Sequence, residues 1–194
     1  MSNGGYMTYR LACDLSDKIA AFGSVTGNFM LTSIGDCTSQ DREVPIIHFH
    51  GTSDQVVNYY PPSFDGALTI GESIDFWTSY NNLTSENVES ISNNVEVYTY
   101  SKESSETKFV HYKVTSGGHV WFGNSWGFNT SEELINFFMQ YQLSDFINNQ
   151  LEGDINGDDS INIQDIILTI NLIFNNQYDV LADLNLDETI DVLD

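Results

Sequence analysis

The run Ser2-Asn3-Gly4-Gly5 constrains the fold more than any other stretch of the chain. Ser2-Asn3-Gly4 reads as the last three letters of G-x-S-x-G, a tight strand-to-helix elbow that lifts a serine hydroxyl above an α/β sheet. The leading glycine of the pattern falls before Met1. Small residues are needed because the elbow backbone is strained and closely packed, and Gly4-Gly5 supply them. A helical pattern follows, with Met7, Leu11 and Leu15 at helical spacing, which predicts a helix over residues 6–19. Taken alone, the same four residues also describe a plain turn.

A serine raised in this way needs a base, and the base needs an acid to orient it. Where the elbow carries chemistry, the partners follow in the order Ser, then Asp or Glu, then His. Val44-Pro45-Ile46-Ile47-His48-Phe49-His50-Gly51 is an apolar run of strand character, closed by the polar turn Thr52-Ser53-Asp54. Asp54 therefore lies just past the carboxyl end of a buried strand, where open α/β sheets carry their sites. Residues 109–114 alternate as a second strand and give way to Thr115-Ser116-Gly117-Gly118-His119-Val120-Trp121. His119 thus also follows a strand end, on a loop loosened by two glycines.

Ser-Asn-Gly-Gly-Tyr-Met from Ser2, His-Gly-Thr-Ser-Asp from His50 and Gly-Gly-His-Val-Trp from Gly117, in that order, resemble the secreted polyhydroxybutyrate depolymerase, feruloyl esterase and acetylxylan esterase group of α/β-hydrolases. The resemblance covers residues 1–142. It implies that Ser2 is the nucleophile, Asp54 the orienting acid, His119 the general base and the backbone N–H of Asn3 an oxyanion-hole donor. The chain departs from the family in carrying Phe122 where proline is usual, and in lacking the first half of the fold. The expectation is the C-terminal part of an α/β-hydrolase that opens inside its elbow, with Met1 an internal methionine and little activity in this stretch by itself.

Charge then divides the chain. Lys and Arg number 6 against 28 Asp and Glu, a net charge of -22, which excludes electrostatic binding to nucleic acid or anionic membrane. The last Lys or Arg is Lys113, so the C-terminal part forms a separate acidic module. Domains are expected at 1–148 and 149–194. No apolar run approaches the roughly 18 residues of a membrane span. Cys13 and Cys37 are even in number, and either a disulfide in a secreted protein or two buried thiols satisfies them.

Between these landmarks the pattern predicts a buried strand over 20–25, a loop over 28–42 and a helix over 74–80. Strands over 95–100 and 109–114 are joined through a polar turn at 102–107. A closing helix is expected over 131–141, capped by Thr130 or Ser131 with Glu133 completing a capping box and Leu134, Phe137, Phe138 and Tyr141 facing the sheet. The aromatic stretch 59–67 fits either a cleft wall or a packed surface loop. His48 and His50 share one strand face; metal chelation is open to them, but without accompanying Cys, Asp or Glu they read as packed and hydrogen-bonded. His111 reads as structural.

In the acidic module, Asp154, Asn156, Asp158 and Asp165 occupy positions one, three, five and twelve of a loop whose seventh carbonyl is that of Ser160. Hard calcium wants six to eight oxygens from such a loop. Asp183, Asn185, Asp187, the Thr189 carbonyl and Asp194 repeat the spacing, and Ile161 at position eight suits pairing of the two loops. Aspartate at position twelve and a helix that only follows, expected over 166–174, resemble a type I dockerin across 153–194, without its second helix. That resemblance implies structural calcium and a cohesin or other cell-surface partner. Ile163-Gln164 and Val192-Leu193 depart from it in lacking small hydroxyl pairs.

The chain is therefore expected to be a secreted serine carboxylic-ester hydrolase acting on acetyl or feruloyl esters of polysaccharide, or on polyhydroxyalkanoates. It needs no cofactor for catalysis and carries a calcium-dependent docking module. The alternative is a docking or adhesion protein whose hydrolase domain has decayed.

Overall fold

The apolar run that begins at Val44 becomes strand β2 (Ile46–Gly51), every residue of which is buried. Such a strand needs cover on both faces. A computed structural model of the chain describes residues 1–31, 37, 42–61, 66–145, 152–158, 160–185 and 187–194. It divides into two compact units, Met1–Ile147 and Asn148–Asp194.

In the first unit, β2 lies between β1 (Phe22–Val25) and β5 (Ser105–Val114), parallel to both. β4 (Val95–Lys102) and β3 (Ser85–Ser92) continue the sheet in antiparallel fashion, giving the order β1-β2-β5-β4-β3. The register pairs Ile46 with Phe109 and His48 with His111, so these side chains share one face. On that face they meet Tyr9 of α1 (Asn3–Asp14), Phe29, and Ile74 and Trp77 of α2 (Ile70–Tyr80). The other face carries Ile47, Phe49, Tyr112 and Val114 against Phe122, Phe128 and Phe137, the last from α3 (Thr130–Phe138). The result is a mixed α/β architecture with helices on both sides of a five-stranded sheet.

Several boundaries differ from expectation, each for a physical reason. α1 starts at Asn3 and ends at Asp14 rather than spanning 6–19. The chain beyond it is held in another course by Arg42, whose guanidinium donates to the carbonyls of Ser16, Ile19 and Ala20. α2 begins at Ile70, four residues before the expected 74, because Thr69 and Glu72 form a reciprocal capping box. The β4–β5 turn is only Glu103-Ser104, with the strands running through the polar residues assigned to a longer loop. β3 was not expected. It is a polar edge strand with nearly every residue exposed, held by pairing to β4 and lacking any buried face to mark it.

The closing helix is capped by Asn129, which accepts the N–H of Ser131, in place of Thr130 or Ser131. Glu133 completes no capping box; its carboxylate accepts the Tyr112 hydroxyl at 2.7 Å. Leu134 and Phe138 lie over Gly23 of β1, where an added Cβ would stand 2.3 Å from Leu134 and 2.9 Å from the Phe138 ring. That glycine admits the helix to the sheet. Cys13 and Cys37 are joined in a disulfide with their Cα atoms 4.9 Å apart.

The second unit contains α4 (Ile163–Asn175), three residues longer at its start than the expected 166–174 because Asn162 and Asp165 cap it reciprocally. The N–H of Gly153 donates to the Leu181 carbonyl at 2.8 Å, tying together the segments that lead into the two acidic loops. Ile161 remains 61% exposed. Among the described residues, no helix is long and apolar enough to cross a membrane.

Candidate active site

Ser2 holds φ 54° and ψ -125°, left-handed backbone that a non-glycine residue adopts at a cost of about 1–3 kcal/mol. The surroundings force it. Its N–H donates to the Val25 carbonyl at 2.9 Å, and its carbonyl accepts the N–H groups of Gly5 at 2.7 Å and Tyr6 at 3.2 Å. The turn is thereby clamped beside the carboxyl end of β1. Gly5 and Gly27 make the clamp: a Cβ on Gly5 would stand 2.6 Å from Ser24 Oγ and 2.7 Å from Gly27 Cα. Although serine is a preferred helix cap, the Ser2 side chain makes no capping bond to α1. Asn3 opens the helix, where backbone N–H groups have no intrahelical partner.

Asp54 and His119 come from the loops after β2 and β5, and these loops are stitched to each other. Thr52 N–H donates to the Val114 carbonyl at 2.9 Å, Ser53 N–H to the Gly117 carbonyl at 2.8 Å, and Ser116 N–H to Thr52 Oγ1 at 2.9 Å. Their approach is close enough that a Cβ on Gly51 would stand 2.2 Å from the Gly117 carbonyl oxygen. Across the junction His119 Nδ1 donates to Asp54 Oδ2 at 2.8 Å. The Asp54 side chain is fully buried, while that of His119 is 17% exposed. A proton on Nδ1 leaves His119 Nε2 as the acceptor.

Burial pushes the Asp54 carboxyl up, but the hydrogen bonds of His50, the Val57 N–H, His119 and the Val56 N–H outweigh it and hold the group well below the usual carboxylate range. Asp54 Oδ1 accepts both backbone N–H groups at 2.8 Å. The acid is thus ionised and fixed from two sides. Burial, and next the Asp54 charge, push the Tyr6 hydroxyl up to about 12, so the field of the acid reaches the first turn of α1. Phe122, fully buried among Trp126 and Phe128, anchors the segment that follows His119.

All three expected residues therefore sit at the same end of the parallel strands. Ser2 is bonded to the end of β1, Asp54 follows β2 and His119 follows β5. The structure joins Asp54 to His119 by a hydrogen bond and brings His50 Nε2 to 3.4 Å from Asp54 Oδ2. His50 is packed and hydrogen-bonded as expected, while its approach to Asp54 was not foreseen; its position four residues before Asp54, at the strand end, was the signal available in sequence. His48, His50 and His111 share a face; both ring nitrogens of His48 and His50, and Nε2 of His111, bond to protein partners, and among the described residues no group of three or more His, Cys, Asp or Glu is arranged to hold a metal. From the aromatic stretch, Tyr59 and Tyr60 line a pocket of about 200 Å³ with Tyr98, Tyr100, His111 and Lys113. A larger hollow of about 450 Å³ lies by the β4–β5 turn and Tyr141 and touches none of the candidate residues.

In the second unit the two acidic loops are built alike, position for position. Asp165 accepts the N–H groups of Ile155, Asn156 and Asn162, the second, third and ninth loop residues. Asp194 accepts those of Leu184, Asn185 and Asp191, again second, third and ninth. Asp154 and Asp183 at position one are buried, and each accepts the N–H of its own position five, Asp158 and Asp187. The loops share this hydrogen-bond frame, although among the described residues no three of their acidic side chains are arranged to hold a metal.

No family model matches the chain. What fold and site define is an α/β protein with a buried Asp bonded to a partly exposed His at the carboxyl end of its parallel strands. Over 123 residues the chain is 28% identical to the bifunctional acetylxylan esterase/xylanase XynS20E of Neocallimastix patriciarum. The match takes in 61% of this chain and 17% of that protein's length. The similarity supports an esterase-type relationship.

Proposed function

We propose that the first unit is a serine carboxylic-ester hydrolase. Ser2 Oγ attacks the ester carbonyl while His119 Nε2 takes its proton; His119 then returns the proton to the leaving alcohol, and water repeats the cycle on the acyl-enzyme. Asp54 holds the imidazole in the required tautomer and stabilises the imidazolium as it forms. The Asn3 N–H donates to the developing oxyanion. The observation that carries this reading is the 2.8 Å bond between His119 and a buried, ionised Asp54, at the sheet end where a serine stands in a left-handed elbow. The substrates are acyl esters of polysaccharide, acetyl before feruloyl given the named activity of the relative, with polyhydroxyalkanoates as a further class. The Cys13–Cys37 disulfide favours an extracellular setting.

The test is Ser2→Ala. In the full-length protein, hydrolysis of a short aryl ester is expected to fall by about three orders of magnitude or more, and covalent labelling by a fluorophosphonate probe, mapped to Ser2 by mass spectrometry, is expected to vanish. Unchanged hydrolysis and no label on Ser2 in the parent would overturn the reading and leave a docking protein with a decayed hydrolase domain.

The second unit is read as a calcium-binding docking module. Asp154, Asn156, Asp158, the Ser160 carbonyl and Asp165 would hold one ion, and Asp183, Asn185, Asp187, the Thr189 carbonyl and Asp194 the other. Calcium would supply the positive charge that lets these carboxylates converge. The repeated hydrogen-bond frame supports this, and the exposed Ile166, Ile170 and Phe174 of α4 suit a cohesin-like or cell-surface partner. Calorimetry with millimolar calcium is expected to show heat that is lost in Asp154→Ala/Asp183→Ala; no heat in the parent would sink it.

A further inference from the structure

Behind the Asp54–His119 pair runs a file of buried rings that the proposed chemistry does not use. The Tyr9 hydroxyl lies 3.0 Å from His48 Nδ1, His48 Nε2 lies 3.1 Å from His50 Nδ1, and His50 Nε2 lies 2.8 Å from the Val57 carbonyl. Tyr9, His48 and His50 are all 0% exposed. The file starts on α1 about two helical turns past the elbow, crosses β2 and ends on the loop that carries Asp54.

Proton placement along this file follows from its last member. A carbonyl oxygen only accepts, so His50 Nε2 carries the proton that points to Val57. A neutral His50 then has a bare Nδ1, which must accept from His48 Nε2–H. His48 in turn has a bare Nδ1, and the Tyr9 hydroxyl donates to it. With both rings neutral, each is in the Nε2–H form, and each hydrogen bond requires the one before it. The surroundings favour neutrality: burial first, then the neighbouring His111 and His50 rings, push His48 well below its ordinary value, with the Gly27 carbonyl pulling the other way. The other titratable groups around the file are the Asp54 carboxylate, whose Oδ2 lies 3.4 Å from His50 Nε2, His111, with its ring centroid 5.2 Å from that of His48, and Tyr59, which bonds to His111 Nε2 and lies 5.9 Å from the His50 ring.

We propose that Tyr9, His48 and His50 form a positioning relay for the active site: Tyr9 and His48 lock His50 in its Nε2–H tautomer, and His50 fixes the Asp54–Val57 turn and thereby the carboxylate that orients His119. In the opposite tautomer a bare Nε2 would face the Val57 carbonyl at 2.8 Å and Asp54 Oδ2 at 3.4 Å, three acceptors with no proton among them. The turn would have to open, and the acid would move with it. This role rests on the esterase reading for its kinetic consequence but not for its tautomers.

Two measurements on the whole chain test it. Nitrogen-15 spectra of the histidine rings are expected to show His48 and His50 neutral with the proton on Nε2. Tyr9→Phe, which keeps the ring and loses only the donor, is expected to shift the His48 and His50 nitrogens toward mixed tautomers while far-ultraviolet circular dichroism stays unchanged. A doubly protonated or Nδ1-protonated His50 in the parent, or unaltered His48 and His50 nitrogens in the variant, overturns the relay. On a short aryl ester, Tyr9→Phe is expected to lower kcat roughly tenfold with KM changed less than about twofold, since a slightly misplaced acid costs the chemical step rather than binding. His50→Gln, which keeps an N–H for Val57, is expected to retain more kcat than His50→Leu; equal kcat in both also overturns it. The parent's hydrolysis and its phosphonate label at Ser2 are run alongside. If both are absent the esterase reading has failed, and the nitrogen spectra still decide the relay.

Discussion

At the scale of single residues, the site depends on places where two backbones come closer than any side chain permits. Gly51 is the clearest: its hydrogen faces the Gly117 carbonyl, and a Cβ would lie 2.2 Å from that oxygen. Gly51→Ala is expected to part the loops that hold Asp54 and His119, lowering ester hydrolysis by about a hundredfold and stability by about 1–3 kcal/mol, measurable by steady-state kinetics and urea unfolding. An alanine with parental kinetics would show that the loops tolerate separation. Residue types and order pointed to Ser2, Asp54 and His119, because a serine, an acid and a histidine at the ends of strands leave a readable trace. The relay of Tyr9, His48 and His50 left none. A tyrosine in a helix and two histidines in a strand have no spacing that marks a hydrogen bond across 39 residues of chain.

At the scale of elements, local signals located the helices and all strands but β3, while the ends were set by local caps at some elements and by distant side chains at others. The Thr69–Glu72 pair is a purely local device, visible as Thr-x-x-Glu, and Thr69→Ala is expected to cost about 1 kcal/mol by chemical denaturation with little effect on the site. The end of α1 is the opposite case. Nothing in residues 15–19 forbids a further helical turn; Arg42, more than twenty residues on, captures their carbonyls. Likewise β3 exists because β4 offers it a hydrogen-bonding edge, and its Glu, Ser and Asn residues carry no strand periodicity of their own.

At the scale of the whole molecule, the buried histidines tie stability to pH. Burial is the main cause of lowered values at His48 and at His111, the latter to about 3 from an ordinary 6.5. The unfolded chain therefore takes up protons below about pH 6.5 that the folded chain refuses, so stability falls as pH falls, by up to about 1.4 kcal/mol per pH unit for each ring. Asp54, held low in the fold, adds its own loss only below about pH 4, where the unfolded carboxylate protonates. Urea unfolding at pH 7, 6 and 5 is expected to show this slope, and a flat profile would mean that the rings are protonated in the fold. The Cys13–Cys37 bridge, spanning 24 residues, is expected to contribute about 2–4 kcal/mol, read as the loss in a Cys13→Ser/Cys37→Ser variant.

Sequence by itself determined the α/β class and the repeated acidic loops, and pointed to the three candidate catalytic residues and a two-part layout. Each of these is carried by local pattern, that is by periodicity, by residue type at a strand end or by spacing within a dozen residues. Tertiary structure alone decided that loops 65 residues apart join Asp54 to His119, that Cys13 meets Cys37, and that three buried rings stand in line behind the acid. Those facts depend on strand register and on which helix covers which face, quantities that arise only when the sheet closes on its core.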